Sequence, residues 1–161
     1  MMINKKSWLN YLFYKIGNQH YDFRLCSLKR EEDGEVKSTK WKKFSEIMFP
    51  LGQEQMGVLK YINNREILPC EVVIDLEREE GIENVVQKLE QDNLNFYAFS
   101  TGSRGFHIHI FFKEELSNEE KLKIVKRYGG DTQKANNGTI IALEYAEHWK
   151  TGRTKEPWKK K

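Results

Sequence analysis

Ser100-Thr101-Gly102-Ser103-Arg104-Gly105-Phe106-His107-Ile108-His109-Ile110-Phe111-Phe112 joins two strand-like runs through a polar loop bracketed by glycines. Gly102 and Gly105 free the backbone for unusual angles and let a ligand come close, while Thr101, Ser103 and Arg104 supply donors suited to phosphate oxygens. Beyond the loop the pattern has the period of a strand: Ile108, Ile110 and Phe112 share one face, His107, His109 and Phe111 the other. The expectation is a histidine on an open sheet face beside an anion-binding loop.

Working outward, Phe96 to Phe99 reads as the strand that enters the loop, and Ile82, Val85, Val86 and Leu89 give the helix before it. Upstream, Glu71-Val72-Val73-Ile74-Asp75-Leu76-Glu77 is a strand with Val72, Ile74 and Leu76 on one face and Val73, Asp75 and Glu77 on the other, so two carboxylates project side by side. An isolated Asp-x-Glu at a strand end is more simply a solvated pair than a metal site. Downstream, Ser117 with Glu120 three residues on is the N-cap signature of a helix over 117–128, and Gly129-Gly130 ends it. Asp131 follows, then a strand over 139–145, then His148-Trp149-Lys150-Thr151-Gly152-Arg153.

These segments, in this order, resemble the motifs of the archaeo-eukaryotic primase superfamily. The loop resembles its second motif, a Ser/Gly-rich turn, a basic residue, Gly, an apolar residue and His running into a strand, and is equally similar to that of the polymerase domain of bacterial end-joining ligases. Asp75 and Glu77 resemble the first motif, whose acids hold divalent metals. Asp131 followed by a strand, His148 and Lys150-Thr151-Gly152 resembles the third. The likeness covers roughly residues 70–155. It departs from replicative primases in lacking a cysteine cluster for a zinc-binding insertion, in carrying His109 where an aromatic is frequent, and in offering Ala142 where an Arg commonly precedes the third-motif His. These departures argue against a host replicative primase and leave the metal-dependent core intact.

The resemblance implies a minimal primase-type catalytic domain of mixed α/β (α+β) class, an N-terminal α/β unit (about 1–69) beside a motif-bearing core (about 70–155) with a sheet of the RNA-recognition-motif kind. The implied activity is template-directed nucleotidyl transfer, as a primase or primase-polymerase in DNA replication. Asp75, Glu77 and Asp131 would hold two Mg²⁺ or Mn²⁺ ions, because hard cations take oxygen ligands and adjacent anions can bridge a metal pair. Ser103, Arg104, Gly105, His107, His148 and Lys150 would bind the NTP or dNTP. Single-stranded DNA template and primer are the implied partners, with a helicase or large primase subunit to add processivity; no zinc is expected. Glu144 is a rival third carboxylate or, as a member of the late strand, a residue that orients the His148 loop. Two other readings stand beside this one: a primase-like nucleic-acid-binding or assembly module without catalysis, and a phosphodiesterase or metal site on His107-Ile108-His109.

Length and charge agree with a single domain spanning 1–161. The 161 residues carry 27 Lys and Arg against 24 Asp and Glu, a net charge of +3, so any nucleic-acid surface must come from local clustering. Lys37, Lys40, Lys42 and Lys43 around Trp41 form one such cluster, and the tail from Lys150 through Arg153, Lys155, Lys159, Lys160 and Lys161, with Trp149 and Trp158 interleaved, forms another. Cys26 and Cys70 read as free thiols. No apolar run reaches membrane-spanning length and the first residues lack a secretory signal's core, which sets the expectation of a cytoplasmic protein with no membrane partner. In the N-terminal third, the apolar spacing from Ile3 to Ile16 predicts a helix stopped by Gly17, residues 20–28 a strand, 31–43 a loop or exposed hairpin, and 44–63 helix broken near Pro50 and Gly52.

Overall fold

The computed structural model describes residues 4–16, 21–49 and 54–159. In chain order the elements are α1 (Lys5–Tyr11, continued by a π-helical turn Leu12–Ile16), β1 (Arg24–Cys26), β2 (Leu28–Arg30), β3 (Val36–Ser38), β4 (Lys42–Lys43), α2 (Phe44–Met48), α3 (Glu54–Leu59), β5 (Asn64–Glu66), β6 (Glu71–Leu76), α4 (Glu79–Gln91), β7 (Phe96–Ser100), β8 (Phe106–Phe111), α5 (Asn118–Arg127), a 3₁₀ turn (Thr132–Lys134), β9 (Ile140–Ala142) and β10 (Glu156–Pro157). The expected helix stop at Gly17, His20 at the head of the first strand, the break at Pro50 and Gly52, and Lys160 and Lys161 lie outside the described residues.

The second half is built as the alternation predicts. β8 runs antiparallel to both β6 and β7, giving the order β10-β7-β8-β6 with β6 at an edge. On one face Val72, Ile74, Leu76, Ile108 and Ile110 pack against Ile82, Val85, Val86 and Leu89 of α4 and Val125 of α5. Burial of these β-branched and leucine side chains, at about 25 cal/mol per Å² of apolar surface, is what fixes the strand register. α5 begins at the expected cap: the Ser117 hydroxyl accepts from the Glu120 amide at 3.2 Å, and the Glu120 carboxylate accepts from the Ser117 amide at 3.0 Å.

The first half forms a second antiparallel sheet, β4-β1-β5-β9, in which the late strand β9 pairs with β5. β2 and β3 make a separate exposed hairpin. A second core, with Trp8, Leu9, Phe23, Leu25 and Phe44 at its centre, reaches the other face of the β10-β7-β8-β6 sheet at Phe99 and Phe111. That face is therefore not open, as the strand pattern alone suggested. α1 and the first sheet cover it, leaving His107 6% exposed and His109 fully buried.

Candidate active site

β6 ends where the predicted motifs gather. Asp75 stands opposite His107 in the antiparallel ladder, and Nε2 of His107 lies 3.6 Å from Oδ1 of Asp75. Glu77 follows the strand, exposed to solvent. The loop between β7 and β8 touches this strand end through Gly105, whose φ is +84° and at which a Cβ would stand 2.2 Å from the Leu76 carbonyl oxygen and 3.1 Å from the Glu77 Cα. Only glycine takes that angle without strain and leaves that space. On the free edge of β6, Gly130 fits against Ile74, where a Cβ would come within 2.9 Å of Ile74 Cγ2, and the next amide, that of Asp131, donates to the Asp75 carbonyl at 3.1 Å. Asp131 is thus tied by its backbone to Asp75. Its carboxylate accepts from the Gln133 amide at 3.0 Å and caps the 3₁₀ turn. Among the described residues no three acidic, imidazole or thiol side chains are gathered closely enough to hold a metal ion. What the fold supplies is adjacency of exposed, oxygen-only donors, Glu77 and Asp131, to the partly exposed Asp75.

Two loops with basic residues adjoin these acids. The Thr101 hydroxyl donates to the Arg104 carbonyl at 2.9 Å and accepts from the Ser103 amide at 3.2 Å, which turns Ser103 and Arg104 outward. The Thr151 hydroxyl donates to the Gly102 carbonyl and so joins this loop to the second. There the His148 amide donates to the Arg153 carbonyl, and the Gly152 amide to the His148 carbonyl, both at 2.8 Å. Nδ1 of His148 accepts from the Lys150 amide at 3.1 Å, which puts the neutral ring's proton on Nε2. Burial, then Lys150 and Lys155, hold its pKa below the usual histidine value. His148 stacks on Trp149, and the Arg30 guanidinium lies 5.5 Å from the Trp149 ring, bridging from the β2–β3 hairpin.

Beneath the acids runs a buried charge network that the sequence pattern did not announce. Arg65 binds Glu71 through both terminal nitrogens, at 2.8 and 2.7 Å, and Glu144 through Nε at 2.7 Å. Glu144 also accepts from the Trp8 indole and from Lys155, each at 2.6 Å. Lys155 in turn lies 2.9 Å from Nδ1 of His107 and 3.1 Å from Nε2 of His109. Burial opposes every one of these charges, yet Arg65 and Lys155 hold the Glu144 carboxyl, and Arg65 the Glu71 carboxyl, well below the usual range. Burial lowers Lys155 to about 8 against the pull of Glu144. Burial, seconded by Lys155, takes His107 down to about 3 and lowers His109 as well, so both imidazoles are neutral.

Four expectations change here. Lys155, which the tail's charge run assigned to template grip, has no exposed surface, because its ammonium replaces water with four protein acceptors. Glu144 has its oxygens taken by Trp8, Arg65 and Lys155 and serves this network instead of a metal. The His107-Ile108-His109 metal site fails because both rings are buried and a cation stands between their facing nitrogens. Trp158, read as a stacking surface, packs on the α4–α5 core with its indole nitrogen buried.

At the level of sequence, no family model and no curated protein matches the chain. Its structure is similar to that of the polymerase domain of Mycobacterium tuberculosis Ligase D in complex with DNA, with a TM-score of 0.60 at 13% identity, over 96% of this chain and 80% of that one. It is also similar to the archaeo-eukaryotic primase domain of the cyanophage S-2L primase-polymerase, with a TM-score of 0.60 at 14% identity, over 97% and 88%. The chain has the fold of these domains. No helix among the described residues is long and apolar enough to cross a membrane.

Proposed function

We propose that this chain performs template-directed, metal-dependent nucleotidyl transfer, making or extending primers as a primase or primase-polymerase. What supports the reading is the neighbourhood of the end of β6: Asp75 is tied through its backbone to Asp131, exposed Glu77 adjoins Gly105 of the loop bearing Ser103 and Arg104, and the His148–Lys150 loop is joined to that loop through Thr151. The donor set fits Mg²⁺ or Mn²⁺, since carboxylate oxygens are the ligands hard cations prefer. Such ions, when bound, lower the barrier by activating the primer 3′-hydroxyl and neutralising the triphosphate.

The chain's own residues do the rest. Arg104 and Lys150 attract and orient phosphate oxygens, Ser103 adds a hydroxyl donor, and the imidazoles of His107 and His148 present Nε2–H groups. The Asp131 carboxylate caps the Gln133 amide and no metal-holding cluster is assembled among the described residues, which favours a second reading in which the domain binds nucleic acid without catalysis. Incubation with a primed single-stranded template, NTPs or dNTPs and Mn²⁺, with products resolved by length, separates the two. Extension that is lost in Asp75→Ala while the fold is retained supports catalysis; template binding without extension supports the module.

A further inference from the structure

Lys155 has four acceptors around one ammonium: Glu144 Oε2 at 2.6 Å, His107 Nδ1 at 2.9 Å, the Ala142 carbonyl at 3.0 Å and His109 Nε2 at 3.1 Å. An ammonium has three N–H donors and no lone pair to offer, so the nearer ring nitrogen, Nδ1 of His107, must be unprotonated, whereas Nε2 of His109 also lies 3.3 Å from Glu144 Oε2 and is fixed by what its other nitrogen does. The two histidines are thereby set in opposite tautomers. His109 carries its proton on Nδ1, which is what its 2.6 Å contact with Glu71 Oε2 requires, for Glu71 is held ionised by Arg65 and can only accept. His107 carries its proton on Nε2, the nitrogen on the Asp75 side. Its contact with Asp75 Oδ1 is long, 3.6 Å, so an arriving oxyanion can compete for that N–H.

We propose that Lys155 is a positioning residue that locks His107 in its Nε2–H tautomer, so that the ring donates to an oxyanion, a non-bridging oxygen of a nucleoside triphosphate, beside Asp75. The choice of oxyanion rests on the nucleotidyl-transfer reading; the tautomer lock does not. Glu144 and, behind it, Arg65 and Trp8 hold the ammonium in place. With lysine replaced by a neutral side chain, Nδ1 of His107 loses its donor and the proton is free to occupy either nitrogen.

The test is ¹⁵N NMR of histidine-labelled full chain, with His107→Asn and His109→Asn spectra for assignment. In the wild type, His107 should show a protonated Nε2 and bare Nδ1, and His109 the reverse; His107 protonated at Nδ1, or the two rings alike, overturns the lock. The second arm is Lys155→Met/Glu144→Gln, which removes both charges together so that no buried carboxylate is stranded. Its His107 tautomers should mix, and its affinity for a non-hydrolysable NTP analogue should fall roughly tenfold or more, the size of one hydrogen bond to a charged oxygen, with single-stranded DNA affinity unchanged. Unaltered tautomers with unaltered nucleotide affinity in the folded variant overturn the proposal. If the wild type shows the opposite tautomers but binds no nucleotide, the nucleotidyl-transfer reading fails while the lysine lock stands. If the variant does not fold, the wild-type spectrum still decides.

Discussion

Arg65 holds two carboxylates at once, Glu71 through two prongs and Glu144 through Nε, with no part of its side chain reaching solvent. Removing one member of such a set strands the others, so Arg65→Met should cost about 3–5 kcal/mol, read from urea unfolding. Acid should act on the same network in two stages. His107 and His109 have folded pKa values below the ordinary 6.5, so the unfolded chain takes up protons first as pH falls; the stability they contribute is complete above pH 6.5 and drains away toward about 3 for His107. Glu71 and Glu144, held below 4.5, add a loss that begins as pH drops through 4.5. The melting temperature should therefore begin to fall near pH 6.5, and a plateau continuing down to pH 4.5 would contradict the buried neutral imidazoles. Asp75 and His107 were readable in the sequence because a strand's period places them on one face. Lys155 was not, since a lysine in a basic tail reads as solvated and its partners lie 11, 46 and 48 residues away.

Among the elements, β6, β8 and α5 were legible because alternation and a capping box are local signals, whereas what covers a sheet is a long-range fact. β9 shows the same limit. A strand was expected over 139–145, but pairing ends at Ala142: the Leu143 amide turns to the Asn63 carbonyl, Glu144 points into the charge network, and Tyr145 takes φ +64°, unusual for an aromatic residue. The tertiary demand on Glu144 overrides the strand pattern. Loop geometry at β6 gives a sharper prediction. Gly105→Ala puts a side chain at φ +84° and a Cβ 2.2 Å from a backbone oxygen, so the 101–105 loop must swing off Glu77. Thermal unfolding should register a loss of about 1–3 kcal/mol, the strain of a non-glycine residue there. Nucleotide titration should show weakened binding, and full affinity in the variant would detach Ser103 and Arg104 from the triphosphate.

At the scale of the whole molecule, the template grip that the nucleotidyl-transfer proposal calls for has to be reassigned, since Lys155 is buried and Trp158 packs partly buried on the α4–α5 core. The exposed basic groups that remain together are Lys37, Lys40, Lys42 and Lys43 on and after the β2–β3 hairpin. Lys37, Lys40 and Lys42 line, with Lys29, Val58, Tyr61 and Ile62, a groove of about 540 Å³, where Tyr61 is 64% exposed. Lysines along a channel with an aromatic face at its base combine the two contributions that single strands offer, phosphate neutralisation and base stacking. The hairpin is also linked to the His148 loop through Arg30 and Trp149. Each lysine that neutralises a phosphate on a single strand adds roughly 0.7 to the slope of log affinity against log salt. Lys37→Glu/Lys40→Glu should flatten that slope by about 1.4, twice the single-contact value, in a fluorescence anisotropy salt series. Tyr61→Ala should weaken binding by about 1–3 kcal/mol at every salt concentration and leave the slope as it was, because stacking releases no counterions. Slopes and affinities unchanged in both variants would place the template elsewhere on the surface, with Arg153 and Lys159, exposed beyond the His148 loop, the next positions to reverse.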